Sequence, residues 1–328
     1  MGVLGKSVRL ALIVLIGVSL CPLMAQNNPN DPTTIRQIAG ARFLRGAIDM
    51  HFHMDPPTLI VSGSPGADIA TVRLARSLGL RGLVIKSHSE PTAALAYQLR
   101  RDMPGFELFG GVVLNRANGG INVAVVEHLA EIKGTPGRVV WMPTLDSEAS
   151  AKGHPGKPFV AVSRNGELLP EVKDVIAVIA KNGLVLATGH LGPEDALMVL
   201  REGQSQGVKH MIATHPMDLV GKMNMDQLMQ AVRYGAFLEF DSRMVLAEGG
   251  VEADAMRKIG PEHCFISEFW TEKIPVDIPR PFIQGREYGN LDFLGGFVEE
   301  MHARGFTDHD LDLMVKENPA RLLDLPAQ

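Results

Sequence analysis

Residues 181–190 read Lys-Asn-Gly-Leu-Val-Leu-Ala-Thr-Gly-His, and this stretch contains the unit that is repeated along the chain. Gly183 precedes a short apolar run at 184–187, and His190 stands just beyond that run. A glycine after the last helical residue is the expected left-handed helix cap. A short apolar run after such a turn is typical of a buried strand. The stretch therefore predicts a helix-to-strand turn, a strand, and a polar side chain where the strand ends.

The same unit recurs and gives eight predicted strands: 47–50, 83–85, 108–114, 139–142, 184–187, 211–213, 236–240 and 264–266. Segments between them have apolar residues three and four apart, which predicts helices: 68–78, 91–101, 123–132, 170–180, 193–202 and 225–234. Strands that alternate with helices need crossover connections, so the pattern predicts a parallel sheet. Eight strands in about 280 residues fit an α/β fold of the (β/α)8 TIM-barrel type better than an open doubly wound sheet.

Two stretches add to the minimal barrel. After the fourth strand, Asn165-Gly166 stands between the apolar residues 159–162 and 167–169. Asn-Gly is a strong hairpin turn signal, so we expect an inserted β-hairpin there. After the eighth strand, the segment 270–293 is rich in proline and aromatic residues and is the longest irregular stretch. A long loop beside a barrel mouth is often a lid.

The first residues have the pattern of a secretory signal peptide. Lys6 and Arg9 precede an uninterrupted apolar stretch at 10–20, which Pro22 and Ala25 follow. The stretch is shorter than the roughly 20 residues that span a bilayer, although an uncleaved membrane anchor is the alternative. We therefore expect a signal peptide at 1–25, a linker at 26–45 and a single barrel domain at 46–328, exported to the periplasm or the extracellular space.

The composition is that of an ordinary soluble protein. The 328 residues are 45% hydrophobic, and their formal net charge is −5. No basic run with interleaved aromatic residues indicates nucleic-acid binding. The two cysteines, Cys21 and Cys264, argue against a disulfide scaffold. These features leave an enzyme with a small-molecule substrate and without a stable membrane span after signal cleavage, and they are compatible with a homo-oligomer.

Histidines and an acidic residue follow several predicted strands. His51 and His53 are two apart on the first strand, so their side chains point to one face and are able to bind one ion. They occupy the place where a dinucleotide-binding fold has its glycine-rich turn. His190 follows the fifth strand, His215 the sixth and Glu268 the eighth. All lie at the C-terminal side of the strands, where TIM barrels build their active sites. The alternative is that a histidine after a strand caps a loop carbonyl.

Further polar residues share this face of the predicted barrel. Asp49 has the parity of the histidine pair and is a candidate to orient a ligand. Lys86 is a site residue or a partner in a structural salt bridge, and His88 is a ligand, a donor behind the ligands or a loop residue. Glu239 and Asp241 close the seventh strand and bind substrate or are ordinary loop acids. The other histidines are assigned to the solvated surface: His128, His154, His210, His263, His302 and His309.

The order of these motifs resembles that of the amidohydrolase superfamily of metal-dependent hydrolases. In both, an HxH pair follows strand one, single histidines follow strands five and six, and an acid follows strand eight. Further short motifs are similar to a bacterial branch of amidohydrolase-like proteins: Val-Ile-Lys-Ser-His at 84–88, Gly-Gly-Val-Val-Leu-Asn at 110–115, Trp-Met-Pro-Thr at 141–144, Thr-Gly-His at 188–190 and Asn-Pro-Ala-Arg-Leu-Leu at 318–323. The resemblance runs from residue 46 to residue 325.

The resemblance implies one or two divalent metal ions, with Zn²⁺ the first choice. The implied metal ligands, including residues that stand in for family positions, are His51, His53, His190, His215, Lys86 and Glu268. Many members have a bridging lysine or glutamate after strand four, but residues 139–144 contain neither, and Lys86 is the nearest substitute. The acid after strand eight is usually aspartate, and here Glu268 stands in its place.

The activity implied by the resemblance is hydrolysis of an amide, ester, lactone or phosphoester bond in a small molecule by a metal-activated water. Glu268 would accept the proton of the water, and Lys86 would bridge two metals as a carbamate or stabilise negative charge. Two alternatives stay open. One is a metal-dependent decarboxylase or lyase of the same fold. The other is an exported metal-binding or ligand-binding barrel whose catalysis is impaired at Glu268.

Overall fold

The computed structural model describes residues 40–55, 69–218, 220–242, 245, 251–268, 282–283, 286–287 and 292–327. The expected signal peptide, most of the expected linker and most of segment 270–293 lie outside these residues. None of the described helices combines the length and the apolar character that a bilayer crossing requires.

Eight parallel strands form one sheet, and each of the eight predicted apolar runs contributes one of them. Their bounds are β1 Ile48–His53, β2 Gly82–Lys86, β3 Glu107–Val113, β4 Gly137–Trp141, β7 Val185–Ala187, β8 His210–Ala213, β9 Ala236–Asp241 and β10 Cys264–Ser267. Neighbours in this order pair in parallel from β1 to β10. The sheet is almost closed into a barrel with helices between the strands, and the predicted TIM barrel is confirmed.

Side chains complete the contact between the first and last strands. β10 and β1 lie next to each other. The backbone N–H of Glu268, just after β10, donates to Asp49 Oδ1 at 3.1 Å. The same oxygen accepts the N–H of His51 at 3.0 Å. A carboxylate on β1 therefore links the two strands at the end where the polar residues gather.

The helices begin and end where the sequence provides caps. Their bounds are α1 Ala41–Leu44, α2 Ile69–Ser77, α3 Ala93–Asp102, α4 Val123–Glu131, α5 Glu148–Ala151, α6 Pro170–Asn182, α7 Pro193–Ser205, α8 Met225–Arg233, α9 Val251–Ile259, α10 Asp292–Ala303, α11 Asp308–Asp312 and α12 Asn318–Leu322. A five-residue π-helix, Leu313–Glu317, joins α11 to α12. α6 begins with Pro170 and ends at Asn182. The next residue, Gly183, has a φ of 63° and is the expected left-handed cap.

Two short hairpins stand outside the barrel sheet. β5 Ser163–Arg164 pairs antiparallel with β6 Glu167–Leu168 around Asn165 and Gly166, which both have positive φ as a type I′ turn requires. This ladder is shorter than the expected one because Val160 bridges to Ser147 and is not paired across the hairpin. In the segment after β10, β11 Phe282–Ile283 pairs antiparallel with β12 Arg286–Glu287.

Apolar side chains fill the barrel and close its N-terminal end. The interior cluster contains residues of the strands: Ile48, Met50, Val84, Phe109, Val113, Val139, Trp141, Val185, Ala187, Ile212 and Phe265. Ala320, Leu322 and Leu323 from the C-terminal segment belong to the same cluster. Asn318 holds this segment in place by donating to the carbonyls of Pro261 and Cys264 at 2.9 and 2.7 Å. The C-terminal segment thus covers the N-terminal end of the barrel, which is called the base below; the opposite end is the mouth.

Polar contacts at the base correct one expectation from the sequence. His210, expected on the solvated surface, has a side chain only 16% exposed, and its Nε2 lies 2.9 Å from Asp324 Oδ1. Arg138 donates to the other oxygen of Asp324 at 2.8 Å. These contacts explain the difference, because Asp324 lies against Arg138 on β4 and His210 on β8.

Candidate metal centre

The C-terminal ends of the strands bring most of the predicted site residues into one buried cluster. Asp49, His51, Lys86 and Glu239 are at most 1% exposed, and Glu268 is 5% exposed. Charged groups buried to this degree need partners, because burial without them is costly. The hydrogen bonds in the cluster therefore decide which atoms carry protons.

His51 presents an unprotonated nitrogen to the centre of the cluster. Its Nδ1 lies 2.6 Å from Glu239 Oε1, which also accepts the hydroxyl of Ser267 at 2.7 Å. Because that oxygen is an acceptor, His51 donates through Nδ1–H and keeps a lone pair on Nε2. Burial lowers the pKa of His51, so the ring is neutral.

His53 is held in the same way by a residue that the sequence did not single out. Its Nδ1 lies 2.7 Å from Asp55 Oδ2, and Asp55 Oδ1 accepts Ser87 Oγ at 3.1 Å and the N–H of His88 at 2.5 Å. Burial alone would raise the pKa of Asp55, but the hydrogen bond from His53 and the nearby His88 lower it. Asp55 is therefore ionised, and His53 also keeps its lone pair on Nε2.

The Nε2 atoms of His51 and His53 face each other. His51 Nε2 lies 3.1 Å from His53 Nε2. Lys86 Nζ is 2.6 Å from His51 Nε2, and Nζ lies 5.5 Å from the centre of the Trp141 ring. Burial lowers the pKa of Lys86 to about 8, although the nearby carboxylates of Glu239 and Glu268 oppose the change.

Glu268 and His215 complete this group. Glu268 Oε1 lies 3.2 Å from His215 Nε2, 3.5 Å from His51 Nε2 and 3.9 Å from His53 Nε2. Burial alone would lower the pKa of His215, but the carboxylates of Glu239 and Glu268 raise it to about 10. The four residues therefore place three ring nitrogens and one carboxylate oxygen around a small volume.

The backbone that presents Glu268 and His215 is strained. Glu268 has φ 54° and His215 has φ 42°, a left-handed conformation that costs about 1–3 kcal/mol for a residue other than glycine. The Asp49 carboxylate stabilises it at Glu268 by accepting the N–H of that residue. Burial raises the pKa of Asp49 to about 7, although the N–H groups of His51 and Glu268 oppose the rise.

The structure brings some of the predicted residues together and leaves others outside. Ligand atoms of His51, His215 and Glu268 lie within 4.8 Å of one another, and those of His53, Asp55 and His88 form a second such group. His190 belongs to neither group, although its ring centre lies 6.1 Å from that of His215 and 5.8 Å from that of His88. Asp241 is buried at the end of β9 and also stands outside both groups.

Sequence reasoning missed Asp55, Thr144 and Asn115. His88 Nδ1 lies 2.8 Å from Thr144 Oγ1, which accepts Asn115 Nδ2 at 2.8 Å. The spacing of His51, His53 and Asp55 at alternate positions was a signal that could have found Asp55, because all three share one parity. No spacing relates Asn115 and Thr144, which follow different strands and meet only in the folded barrel.

The residues present fit a divalent cation. Imidazole nitrogens and carboxylate oxygens are the ligands that Zn²⁺ and similar ions prefer. His51 and His53 each donate the N–H at Nδ1 to a carboxylate, which is the usual support of a histidine that binds a metal through Nε2. His215 Nδ1 is buried without a hydrogen-bond partner among the described residues, so Nε2 is the nitrogen that takes part in the cluster.

Solved structures show the same TIM-barrel fold as this chain. An amidohydrolase from Pseudomonas aeruginosa is 14% identical, with a TM-score of 0.58 over 87% of this chain and 98% of that one. An amidohydrolase from Burkholderia multivorans with bound Zn is 14% identical, with a TM-score of 0.53 over 85% and 99% of the two chains. A 2,6-dihydroxybenzoate decarboxylase complexed with 2,6-dihydroxybenzoate is 10% identical, with a TM-score of 0.50 over 86% and 100%. This chain and these three proteins therefore share a TIM-barrel fold.

The sequence itself matches one family model. That model, described as a family of unknown function (DUF6282), matches residues 46–239, more than half of the chain. The chain therefore belongs to this family. Among curated proteins, none matches the chain.

Proposed function

We propose that the protein is a metal-dependent hydrolase that acts on a small molecule. The observation that carries this proposal is the 3.1 Å approach of His51 Nε2 and His53 Nε2, each with its opposite nitrogen bonded to a carboxylate. Lone pairs that face each other at this distance are stabilised by a cation that both can bind. Lys86 donates to the His51 nitrogen, and within the described residues His53 Nε2 has no hydrogen-bond contact other than His51 Nε2.

The residues that would hold the ion are His51, His53, His215 and Glu268, with Zn²⁺ as the best match to this donor set. A divalent ion at such a site lowers the pKa of a bound water and polarises the substrate oxygen. His190, expected as a ligand from the family pattern, lines the site beside His215 in this proposal.

Glu268 is the proposed proton acceptor. Its Oε1 lies 3.2 Å from His215 Nε2, 3.5 Å from His51 Nε2 and 3.9 Å from His53 Nε2. It takes a proton from the attacking water and returns the proton to the leaving group. Lys86 stabilises negative charge that develops nearby, or carries the carbamate that the family pattern suggests. The bonds proposed for cleavage are amide, ester, lactone or phosphoester bonds.

The test is metal content followed by activity. Inductively coupled plasma mass spectrometry of the purified full-length protein should find a divalent ion, and chelation should remove both the ion and hydrolysis across a panel of esters, lactones, amides and phosphoesters. His51→Ala should reduce the metal content to background. His128→Ala is the matched control, because His128 has a side chain 75% exposed on the far side of a helix.

Two results would contradict the proposal. One is full activity in a protein freed of metal. The other is equal metal content in His51→Ala and His128→Ala. Tight metal binding without turnover on the panel would favour a binding barrel, and Glu268→Asp then tests whether the longer side chain is the cause.

A decarboxylase is the second candidate, because one solved structure with this fold is a decarboxylase. Hydrolysis incorporates one oxygen from water into the product, whereas decarboxylation releases CO₂ without net addition of water. Reaction in ¹⁸O-labelled water, read by mass spectrometry of the product, therefore separates the two reactions.

We also propose that the chain is exported after cleavage near Ala25. The support is the charged, apolar and small-residue order of the first 25 residues. N-terminal sequencing of the protein from a periplasmic or culture fraction tests this, and an intact Met1 in that fraction would contradict it.

A further inference from the structure

The hydrogen-bond network around His88 differs from those of the other histidines in the cluster. This network begins at Asn115. Its Oδ1 accepts two backbone N–H groups, those of Thr144 at 2.8 Å and Asp146 at 3.3 Å. Backbone N–H groups only donate, so the oxygen of the side-chain amide is fixed on that side. The NH₂ group then points the other way and donates to His88 O at 3.0 Å and to Thr144 Oγ1 at 2.8 Å.

The fixed Asn115 amide determines the hydrogen bonding of Thr144. Thr144 is fully buried, and its Oγ1 already receives an N–H from Asn115. Its own hydroxyl proton needs an acceptor, because a buried donor without one costs about 1–3 kcal/mol. In the described part of the chain, the other partner of this oxygen is His88 Nδ1 at 2.8 Å. Thr144 therefore donates to His88.

This places the proton of His88 on Nε2. A neutral imidazole that accepts at Nδ1 carries its hydrogen on the other nitrogen. His51 and His53 have the opposite arrangement, since they donate through Nδ1 and keep a lone pair on Nε2. A nitrogen that carries a proton is a donor and does not bind a metal ion.

The position of His88 suits a donor to the substrate. Its ring centre lies 4.9 Å from that of His53 and 5.8 Å from that of His190. Its backbone is held by Asp55, which also supports His53. No hydrogen bond to His88 Nε2 occurs among the residues that the structure describes, and the residue is 9% exposed. The ring is thus fixed beside the cation-binding cluster with one N–H left to donate.

We propose that His88 is a catalytic hydrogen-bond donor to the substrate oxygen that gains negative charge, with its tautomer fixed by Asn115 and Thr144. The inference rests on the proposed function and specifies the substrate further: its reacting group carries a carbonyl, carboxylate or phosphoryl oxygen within reach of Nε2. A donor fixed in advance at such an oxygen stabilises the transition state more than the ground state. The competing assignment makes His88 a ligand of a second cation with His53 and Asp55.

The tautomer is measured directly by ¹⁵N NMR of histidine-labelled, metal-loaded full-length protein, with the His88 signals identified by their loss in His88→Ala. The expected result is an unprotonated Nδ1 and a protonated Nε2. Thr144→Val removes the hydroxyl and should release the tautomer, whereas Thr144→Ser should keep it. A protonated Nδ1 in the wild-type protein overturns the proposal, whatever the variants do.

Kinetics and metal content supply the second readout. His88→Ala should lower kcat on the order of 10²–10³-fold, the effect of removing one fixed donor, with the metal content unchanged. Thr144→Val should lower kcat less, Thr144→Ser should restore it, and Ser77→Ala, a hydroxyl deletion on an exposed helix face, should leave it unchanged. Loss of one equivalent of metal in His88→Ala would instead make His88 a ligand and overturn the proposal.

Failure of this inference is distinct from failure of the proposed hydrolase. The hydrolase proposal fails in the wild-type protein, through absent metal or through activity that does not depend on metal. The His88 proposal fails through its tautomer or through metal loss in its variant. The tautomer of His88 and the metal content of His88→Ala are both measurable even when no substrate in the panel is turned over.

Discussion

The two ends of the barrel are built from the same strands and differ in almost every physical respect. At the C-terminal end, Lys86, His51 and Glu239 are buried with hydrogen-bond partners, and Glu268 and His215 have left-handed backbones. At the N-terminal end, apolar side chains of the C-terminal segment, Leu322 and Leu323 among them, fill the barrel, and the left-handed residue there is Asp324, with φ 53°, on the exposed side of this segment. The comparison teaches that apolar burial stabilises the base, whereas the mouth buries polar groups that need hydrogen-bond partners.

The largest expected effect on stability is therefore at the base. Leu322→Ala removes a fully buried side chain from the barrel interior and should lower the free energy of unfolding by about 2–5 kcal/mol. Chemical denaturation followed by circular dichroism measures the change. The metal content of the folded variant should equal that of the wild-type protein, and a loss of metal at this distance would remove the contrast between the two ends.

At the C-terminal end of the barrel we expect a smaller effect, and it is on metal affinity and not on the free energy of unfolding. Asp55→Asn keeps the size of the side chain but removes the charge that holds the His53 proton on Nδ1. Changes to such supporting carboxylates cost about 10–100-fold in metal affinity, so a chelator competition should show this loss. Asp226→Asn, at an exposed helix start, is the matched control. If the two variants bind metal equally well, Asp55 does not orient His53.

The smallest effect is expected from the polar contacts at the base. Asp324→Asn should lower stability at pH 7 by up to about 1 kcal/mol, because the carboxylate is 61% exposed. Burial alone would raise the pKa of Asp324, but the hydrogen bond from Arg138 and the nearby His210 together lower it. A lowered pKa contributes stability above the unfolded value of about 3.9, and the contribution is lost as the pH falls below it.

Urea unfolding of Asp324→Asn and of the wild-type protein at two pH values checks this sign. The midpoints should differ at pH 7 and converge near pH 3, where the carboxyl is protonated in both states. A difference that grows as the pH falls would mean that the ion pairs with Arg138 and His210 do not stabilise the fold.

The barrel was predictable from the sequence because each strand is a local pattern. The run at 184–187, with Gly183 before it and His190 after it, contains the cap, the strand and the polar end within ten residues. The same local reasoning placed Lys86 and Glu268 at strand ends, where the structure has them. The inserted hairpin came out shorter because Val160 pairs with Ser147, a contact that the local pattern does not contain.

The hydrogen-bond roles in the site were not predictable in this way. Whether a histidine donates or accepts at Nε2 depends on what touches Nδ1, and those partners are distant in the chain: Glu239 for His51 and Thr144 for His88. The sequence therefore made His51 a candidate metal ligand and left His88 open as a ligand, a donor behind the ligands or a loop residue. His190 shows the converse, since its strand-end position was correct although the structure places it outside both groups of candidate ligands.

The link between Asp49 and the backbone of Glu268 has a consequence for when the site forms. The two residues are 219 positions apart, so closing this contact brings together the first and last strands of the sheet. Contacts of such long range form late, because the loop that they close has a large entropy cost. An unfinished or partly folded chain has the histidine pair but not the acid beside it. Under the proposed function, metal-dependent reactivity should therefore arise only when the barrel closes and brings Glu268 to the histidine pair.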